Sequence, residues 1–250
     1  MKRLTFPAFV LPATLFTAFA VAVSSCGHSE EITGHSEEIV GHSEEIGGHT
    51  MVKIPGREYY MGKTEVTQAQ WEEVMGNNPA YFNDEDNPVE SVSWNDCQEF
   101  LKKFNELPAV KESGLVFRLP TEEEWEYACR AGATGKYCKL ADGMEITEDA
   151  FVRVAWYDVL VGGETHHVGQ KEPNAFGLYD MHGNVWEWTQ TVDGELWGWE
   201  WPPTADGESH VMRGGCYHNS AWDGASQRDR YQPDGRLINL GFRLCAEKIQ

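Results

Sequence analysis

The sequence is short of positive charge. Lys and Arg number 20 against 40 Asp and Glu, a formal net charge of −20. Nucleic acid and anionic lipid surfaces are both held through basic patches, so this balance argues against either as a partner. Zinc-type cysteine spacing is missing as well, because none of the six cysteines lies in a C-x-x-C pair. Setting Cys26 aside leaves Cys97, Cys129, Cys138, Cys216 and Cys245. That odd number leaves at least one thiol free or paired elsewhere. An oxidising compartment permits disulfides, and Cys216 with Cys245, each ending a strand-like segment, is the first pair expected. Regular periodicity is the third scarcity: beyond Arg130 strong strand patterns are few and Gly and Trp abound.

What is present begins with a leader. Lys2 and Arg3 precede an apolar run from Leu4 to Val23, which closes on Val23-Ser24-Ser25-Cys26. A basic start, an apolar middle and small residues at the end describe an export signal over residues 1–25. The ending resembles the lipobox of bacterial lipoproteins. That resemblance implies lipidation of Cys26 and tethering to the membrane without a spanning segment. Gly27 rather than Asp after Cys26 implies the outer membrane of the cell envelope. Next comes a seven-residue repeat, GHSEEIT, GHSEEIV and GHSEEIG, ending in GHT. One isoleucine per seven residues is too little apolar surface for a coiled coil, and a glycine in each copy opposes a helix. Residues 26–50 are therefore expected to be an acidic, solvated tether, although its His and Glu residues suit loose metal capture.

The remaining residues, 51–250, amount to about one domain. Val52, Ile54, Tyr59 and Met61 look strand-like around a Pro55-Gly56 turn. Thr67, with Gln70 three residues on, caps a helix whose inner face holds Trp71, Val74 and Met75. Ser93 or Asn95 starts a second helix, where Cys97, Phe100, Leu101 and Phe104 recur at helical spacing. Thr121 and Glu124 form the capping box of a third, with Trp125 and Ala128 facing inward. The stretch Pro173–Trp188, PNAFGLYDMHGNVWEW, is dense in aromatics yet punctuated by glycines. Such a segment must be both buried and loop-like. Its backbone then needs partners, with Asn174, Asp180, Asn184, Glu187 or a bound cation as suppliers.

The series KTEVT (63–67), NPVESVSW (87–94), RLPTEEEWEYACRAG (118–132), PNAFGLYDMHGNVWEW (173–188), RGG (213–215) and GFRL (241–244) resembles the formylglycine-generating-enzyme, or sulfatase-modifying-factor, family. These six blocks span practically everything after the tether. The resemblance implies a single α+β domain with a C-type-lectin-like fold and much irregular structure.

Active enzymes of that family oxidise a sulfatase cysteine to formylglycine with two copper-binding cysteines, in keeping with the preference of soft thiolates for copper(I). The resemblance puts those two positions at Asn219 and Gly224, neither of which is a thiolate ligand. Cys216 is the weak substitute, and a rearranged oxidase using it is the alternative reading. Copper is accordingly not expected. A non-haem iron enzyme of the same superfamily is a further alternative, with His166, His167, His182, His210 and His218 as the available imidazoles. Their spacing is poor, and the adjacent pair on a strand would point apart. The sulfoxide synthases of the superfamily also take ligands from a helical domain not seen here, so iron is not expected either.

The resemblance further implies one Ca²⁺ held by Asp180, Gly183, Val185 and Glu187, in line with calcium's need for six to eight oxygens. The competing reading pairs Glu187 with a buried arginine such as Arg213 or Arg243. Arg213, Arg228, Arg230 and Arg243 suit either internal ion pairs or a carboxylate-clamping groove for a peptide or glycan. Trp197, Trp199 and Trp201 suit either a carbohydrate-stacking face or packing over the core. The combined expectation is an envelope lipoprotein whose domain is a non-catalytic binding or assembly module. Gliding-motility and secretion lipoproteins that carry such domains without the cysteine pair are similar to it.

Overall fold

Three reciprocal caps set the helix starts. The computed structural model describes residues 41–157, 162–193, 208–219 and 227–249. In it Thr67, Ser93 and Thr121 each accept from the N3 backbone N–H while the N3 side chain accepts from the cap's own N–H. The helices that follow are α1 (Gln68–Met75), α2 (Trp94–Phe104) and, after the short α3 (Pro108–Ser113), α4 (Glu122–Arg130). α2 buries Cys97, Phe100, Leu101 and Phe104 as its spacing predicts. α1 buries Trp71 fully and covers Val74 and Met75 only in part.

A five-stranded antiparallel sheet joins the two ends of the domain. Its order is β1 (Ser43–Ile46), β2 (His49–Lys53), β3 (Tyr59–Gly62), β11 (Cys245–Lys248) and β4 (Leu115–Arg118). Cys245 sits opposite Met61 on one side and Arg118 on the other. A second sheet runs β10 (Leu240–Gly241), β7 (Trp186–Asp193), β8 (Ser209–Arg213) and β9 (Arg228–Tyr231), and a small parallel pair joins β5 (Ala155–Trp156) to β6 (His182–Gly183). Trp71, Phe100, Phe104, Phe117, Trp188 and Phe242 fill one apolar cluster. Met61, Trp125, Phe176, Leu178, Met181 and Cys245 fill a second, and Leu140, Phe151 and Val154 belong to a third. No helix among the described residues is long and apolar enough to cross a membrane.

Two expectations are corrected. The third GHSEEI copy is strand rather than tether: Ser43–Ile46 pairs with His49–Val52, and Ile46 is buried in the first cluster. The cause is local. This copy ends in Gly47 and is followed by Gly48, so two residues at φ 57° and 79° turn the chain, as a tight hairpin requires. The other two copies end in Thr33 and Val40. The Cys216–Cys245 disulfide does not form either. All five cysteines of the domain are buried free thiols, and these two belong to different apolar clusters. Cys26, the first two repeats, Trp197, Trp199, Trp201 and Gly224 lie outside the described residues.

If the domain begins at β1, Ile46→Ala should destabilise the protein by about 2–4 kcal/mol in equilibrium urea unfolding, the usual range for emptying a buried isoleucine site. A change within about 0.5 kcal/mol, as for a solvated position, would return residues 43–46 to the tether.

Candidate functional site

The segment Pro173–Trp188 is buried, as its composition requires, and its partners are now identifiable. Asn174 holds its first turn, donating from Nδ2 to the carbonyls of Ala128 and Cys129 while its Oδ1 accepts from Phe176 and Leu178. At the far end Glu187 and Arg243 form a fully buried ion pair with two contacts of 2.6 Å, from Nε to Oε2 and from Nη2 to Oε1. Trp125 Nε1 also donates to Glu187 Oε2, at 2.6 Å. The remaining reach of Arg243 goes to the carbonyls of Gly62 and Tyr179, each at 3.0 Å. One guanidinium thus ties β3, the Pro173–Trp188 segment, β7 and, through Trp125, α4.

Two further acids are buried beside this pair. Burial raises Asp180 to about 6, assisted by the charge of Glu187. Glu65 is raised well above the usual carboxylate range, first by burial and then by the charges of Asp180 and Glu187. Asp180 Oδ2 accepts from Gly169 N–H at 2.6 Å, and Glu65 Oε2 accepts from Asn184 Nδ2 at 3.3 Å. Their other oxygens, Asp180 Oδ1 and Glu65 Oε1, are buried without a protein partner.

Of the four residues considered for calcium, all on this buried segment, Asp180 keeps one carboxylate oxygen without a protein partner. Glu187, by contrast, gives both oxygens to Arg243. Asp180 and Asn184 adopt φ of 56° and 58°. Between them Gly183 is obligatory: at φ 99° a Cβ would lie 1.9 Å from the carbonyl oxygen of Trp156. The other three arginines are also engaged in ion pairs, Arg213 in the interior and Arg228 at the surface. Arg213 pairs with Glu122 and Glu126, Arg228 with Glu122 and Asp193, and Arg230 with Asp193.

After Arg213-Gly214-Gly215 the chain turns around Cys216. Asn219 Oδ1 accepts from the Cys216 N–H at 2.8 Å and from its thiol at 2.9 Å, and Asn239 Nδ2 donates to the sulfur at 3.2 Å. Burial pushes the thiol above its ordinary range. Cys216 is therefore a capped, protonated side chain, unlike the exposed low-pKa thiolates that react or bind soft metals. Asn219 serves as its hydrogen-bond acceptor.

Tyr217, next in the chain, meets Phe82 edge-to-face at 5.6 Å, and Phe82 lines a cavity of about 540 Å³. The wall is polar: Asp84 and Asn87 come from the loop before Pro88, and Glu164, Thr165, His166 and His167 from the segment before Gly169. Glu90 holds the first of these walls, its Oε1 accepting from the backbone N–H of Tyr81 and Phe82. The adjacent histidines do diverge, but on a loop rather than a strand. His166 stacks on Trp156 at 4.0 Å, whereas His167 Nε2 lies 3.1 Å from Asp84 Oδ2. That hydrogen bond holds the Asp84 carboxyl below its usual range. The remaining histidines are scattered. His182 is buried beside Cys129 and lowered to about 3 by burial and then by Arg130, while His210 is stacked on Trp94 and His218 is exposed. Sequence reasoning passes over Asp84, Asp86 and Asn87, whose partners His167, Val168 and Thr165 lie some eighty positions further along the chain.

Residues 26–248 match the sulfatase-modifying factor enzyme 1-like domain. The chain belongs to that family. Its fold is the α+β, C-type-lectin-like fold of the formylglycine-generating enzymes. It is 32% identical to the formylglycine-generating enzyme of Streptomyces coelicolor, over 72% of this chain and 59% of that one. It is 31% identical to the inactive C-alpha-formylglycine-generating enzyme 2 of Bos taurus, over 72% and 57%. It is also 34% identical to the chaperone protein LppX of Paenibacillus barcinonensis, over 52% of this chain and 61% of that one. The chain thus spans roughly half to three-fifths of the length of these curated relatives. Among solved structures, Treponema denticola variable protein 1 superposes with a TM-score of 0.65 at 28% identity, covering 83% of this chain and 99% of that one. PvdO from Pseudomonas aeruginosa, at 24% identity and a TM-score of 0.58 over 76% and 80%, shares the fold.

Two outcomes follow from the buried acids. With Arg243 on Glu187, the unfolding temperature should be the same in excess chelator and in millimolar calcium. A calcium-dependent rise of several degrees would mean that an ion displaces the arginine. Asp180 supplies the pH dependence. Its folded value, about 6, exceeds the ordinary unfolded one, so proton uptake favours the folded state below about pH 4 and that support is lost as pH rises through 6. Asp180→Asn, which keeps an acceptor and tolerates the left-handed backbone, should therefore gain stability over the parent between pH 5 and 7.5. The gain should reach about 2–3 kcal/mol. A pH-independent difference in calorimetric unfolding would refute this.

Proposed function

We propose that the chain is an envelope lipoprotein, anchored through Cys26, whose sulfatase-modifying-factor domain is a non-catalytic binding or assembly module. One observation supports the non-catalytic part above the rest. At the position where the family resemblance calls for the first copper cysteine stands Asn219, hydrogen-bonded to both the backbone and the buried thiol of Cys216. Gly224 occupies the second position. Copper–thiolate chemistry needs ionised, accessible sulfur, and Cys216 is neither. An inactive formylglycine-generating enzyme and a protein named as a chaperone among the relatives are compatible with this reading. The binding surface we assign is the polar cavity beside Phe82, built on loops that the buried ion-pair core holds in place. The net charge of −20 points away from nucleic acid and towards protein, glycan or cationic ligands.

The test is a turnover assay. The purified chain receives copper(I), a reductant, oxygen and a peptide with the sulfatase Cys-x-Pro-x-Arg motif, beside an active family enzyme as control. Mass spectrometry is expected to find no aldehyde. Aldehyde that disappears in Cys216→Ser would overturn the reading and make Cys216 part of a rearranged copper site.

A further inference from the structure

We propose that Asp84, Asp86 and His167 form a binding site for a borderline divalent cation of the zinc class at the edge of the polar cavity. The inference rests on the reading of that cavity as a binding site. One carboxylate oxygen from each aspartate and one imidazole nitrogen lie within 4.8 Å of one another, and among the described residues this is the one trio of metal-type side chains that converges so closely. His167 Nε2 and Asp84 Oδ2 are 3.1 Å apart. Two ligands of a tetrahedral zinc at normal bond lengths stand about 3.3 Å apart, so this edge of the polyhedron is nearly made. A metal would replace the proton that the two atoms now share.

The backbone that carries the ligands is tied by hydrogen bonds on both walls. Asp84 N–H donates to Gln68 Oε1 at 3.1 Å, and Asp84 Oδ1 accepts from Asp86 N–H at 3.2 Å. The N–H groups of Gln68 and Ala69, in the first turn of α1, donate to the carbonyls of Asn87 and Glu85. On the opposite wall Val168 N–H donates to the carbonyl of Asp86 at 3.0 Å, which clamps the His167 loop against the aspartates. His166 N–H and Gly169 N–H are fixed to Asn184 and Asp180. A site built on such loops keeps its ligands close to coordination distance without an ion, which is what preorganisation of a metal site requires.

A surface His–Asp ion pair would explain one carboxylate, not two. It would also leave Asn87 unexplained. Asn87 is 7% exposed, lines the same cavity and donates from Nδ2 to Thr165 Oγ1 at 3.1 Å. Its Nδ2 also approaches the Thr165 carbonyl, which can only accept, so the amide cannot be flipped. Its Oδ1 is consequently left buried with no protein partner. A buried acceptor of this kind calls for a partner from outside the protein, either a cation or the water carried by one. Mixed imidazole and carboxylate ligands suit zinc and its first-row neighbours better than calcium or copper(I).

Isothermal titration of the purified full chain with zinc tests the proposal. Because His28, His35 and His42 of the repeats offer competing imidazoles, the parent for comparison carries alanine at those three positions. That parent should bind one zinc per chain. His167→Gln should abolish the event, and Asp86→Asn should weaken it at least about tenfold, the scale already lost when outer-shell partners are removed. Near-ultraviolet circular dichroism confirms that the variants are folded. A parent that binds no zinc, or one whose isotherm is unchanged by His167→Gln, would overturn the site. Neither result bears on the aldehyde assay, so failure here is distinguishable from failure of the non-catalytic reading.

Discussion

The fold depends on burying one arginine. Arg243 is fully enclosed, and an isolated charge in that position would be several kcal/mol uphill even after relaxation. It is tolerated because Glu187 meets it through two parallel contacts and two carbonyls take further donors. Glu187 and Tyr179 come from the Pro173–Trp188 segment and Gly62 from the end of β3, both remote from Arg243 in sequence, so the pair forms only when these pieces are already assembled. Such an interaction adds little net stability. What it supplies is a unique arrangement, since a shifted register of β7 or β11 would leave a bare charge in the core.

The surplus acid around that pair explains the loops on the surface. Asp180 and Asn184 reach outward from the core segment to the backbone of Gly169 and His166. These are the residues that bracket His167, so the cavity wall is suspended from the buried polar cluster. A carboxylate raised to about 6 is the energetic consequence of placing such an anchor in the interior. Loops carry binding groups most effectively when a rigid scaffold fixes them. Here the scaffold and the loop are joined by named hydrogen bonds.

Much of this was legible in the chain itself. The three capping boxes, the helical faces of α2 and α4, and the burial of Pro173–Trp188 follow from local chemistry that a single sequence displays. Arg243 as the partner of Glu187 was visible as one of two readings, because a buried carboxylate must find a cation and only residue type, not distance, is written in sequence. The domain boundary was misplaced for an instructive reason. A repeat suggests equivalent copies, yet a single Gly47 in the third creates a Gly-Gly hairpin, and turn chemistry overrides compositional likeness. The Cys216–Cys245 disulfide is expected from sequence position near strand ends alone, and two strands ending near the C-terminus need not be neighbours. The trio at the cavity was invisible because its members are remote in sequence and unremarkable in type.

The same scaffold also explains how chemistry can change without the fold changing. The Arg243–Glu187 pair and the Asp180–Asn184 turn lie beneath the surface, and the turn meets residues 216–219 through the backbone, where the Tyr217 N–H donates to the Asn184 carbonyl at 3.0 Å. The turn after Arg213-Gly214-Gly215 is closed by Asn219 on Cys216, an arrangement that satisfies the backbone and the thiol together. It therefore needs neither a second cysteine nor a metal to be stable. A few steps away, through the edge-to-face contact of Tyr217 with Phe82, the polar cavity offers carboxylates, imidazoles and carboxamides rather than sulfur. Function resides in such grafted sites rather than in the fold that carries them. Among the described residues the thiols are all inside, and the cavity wall offers oxygen and nitrogen donors. On the reading proposed above, ligand choice follows that division, because oxygen and nitrogen donors prefer hard or borderline cations to copper(I).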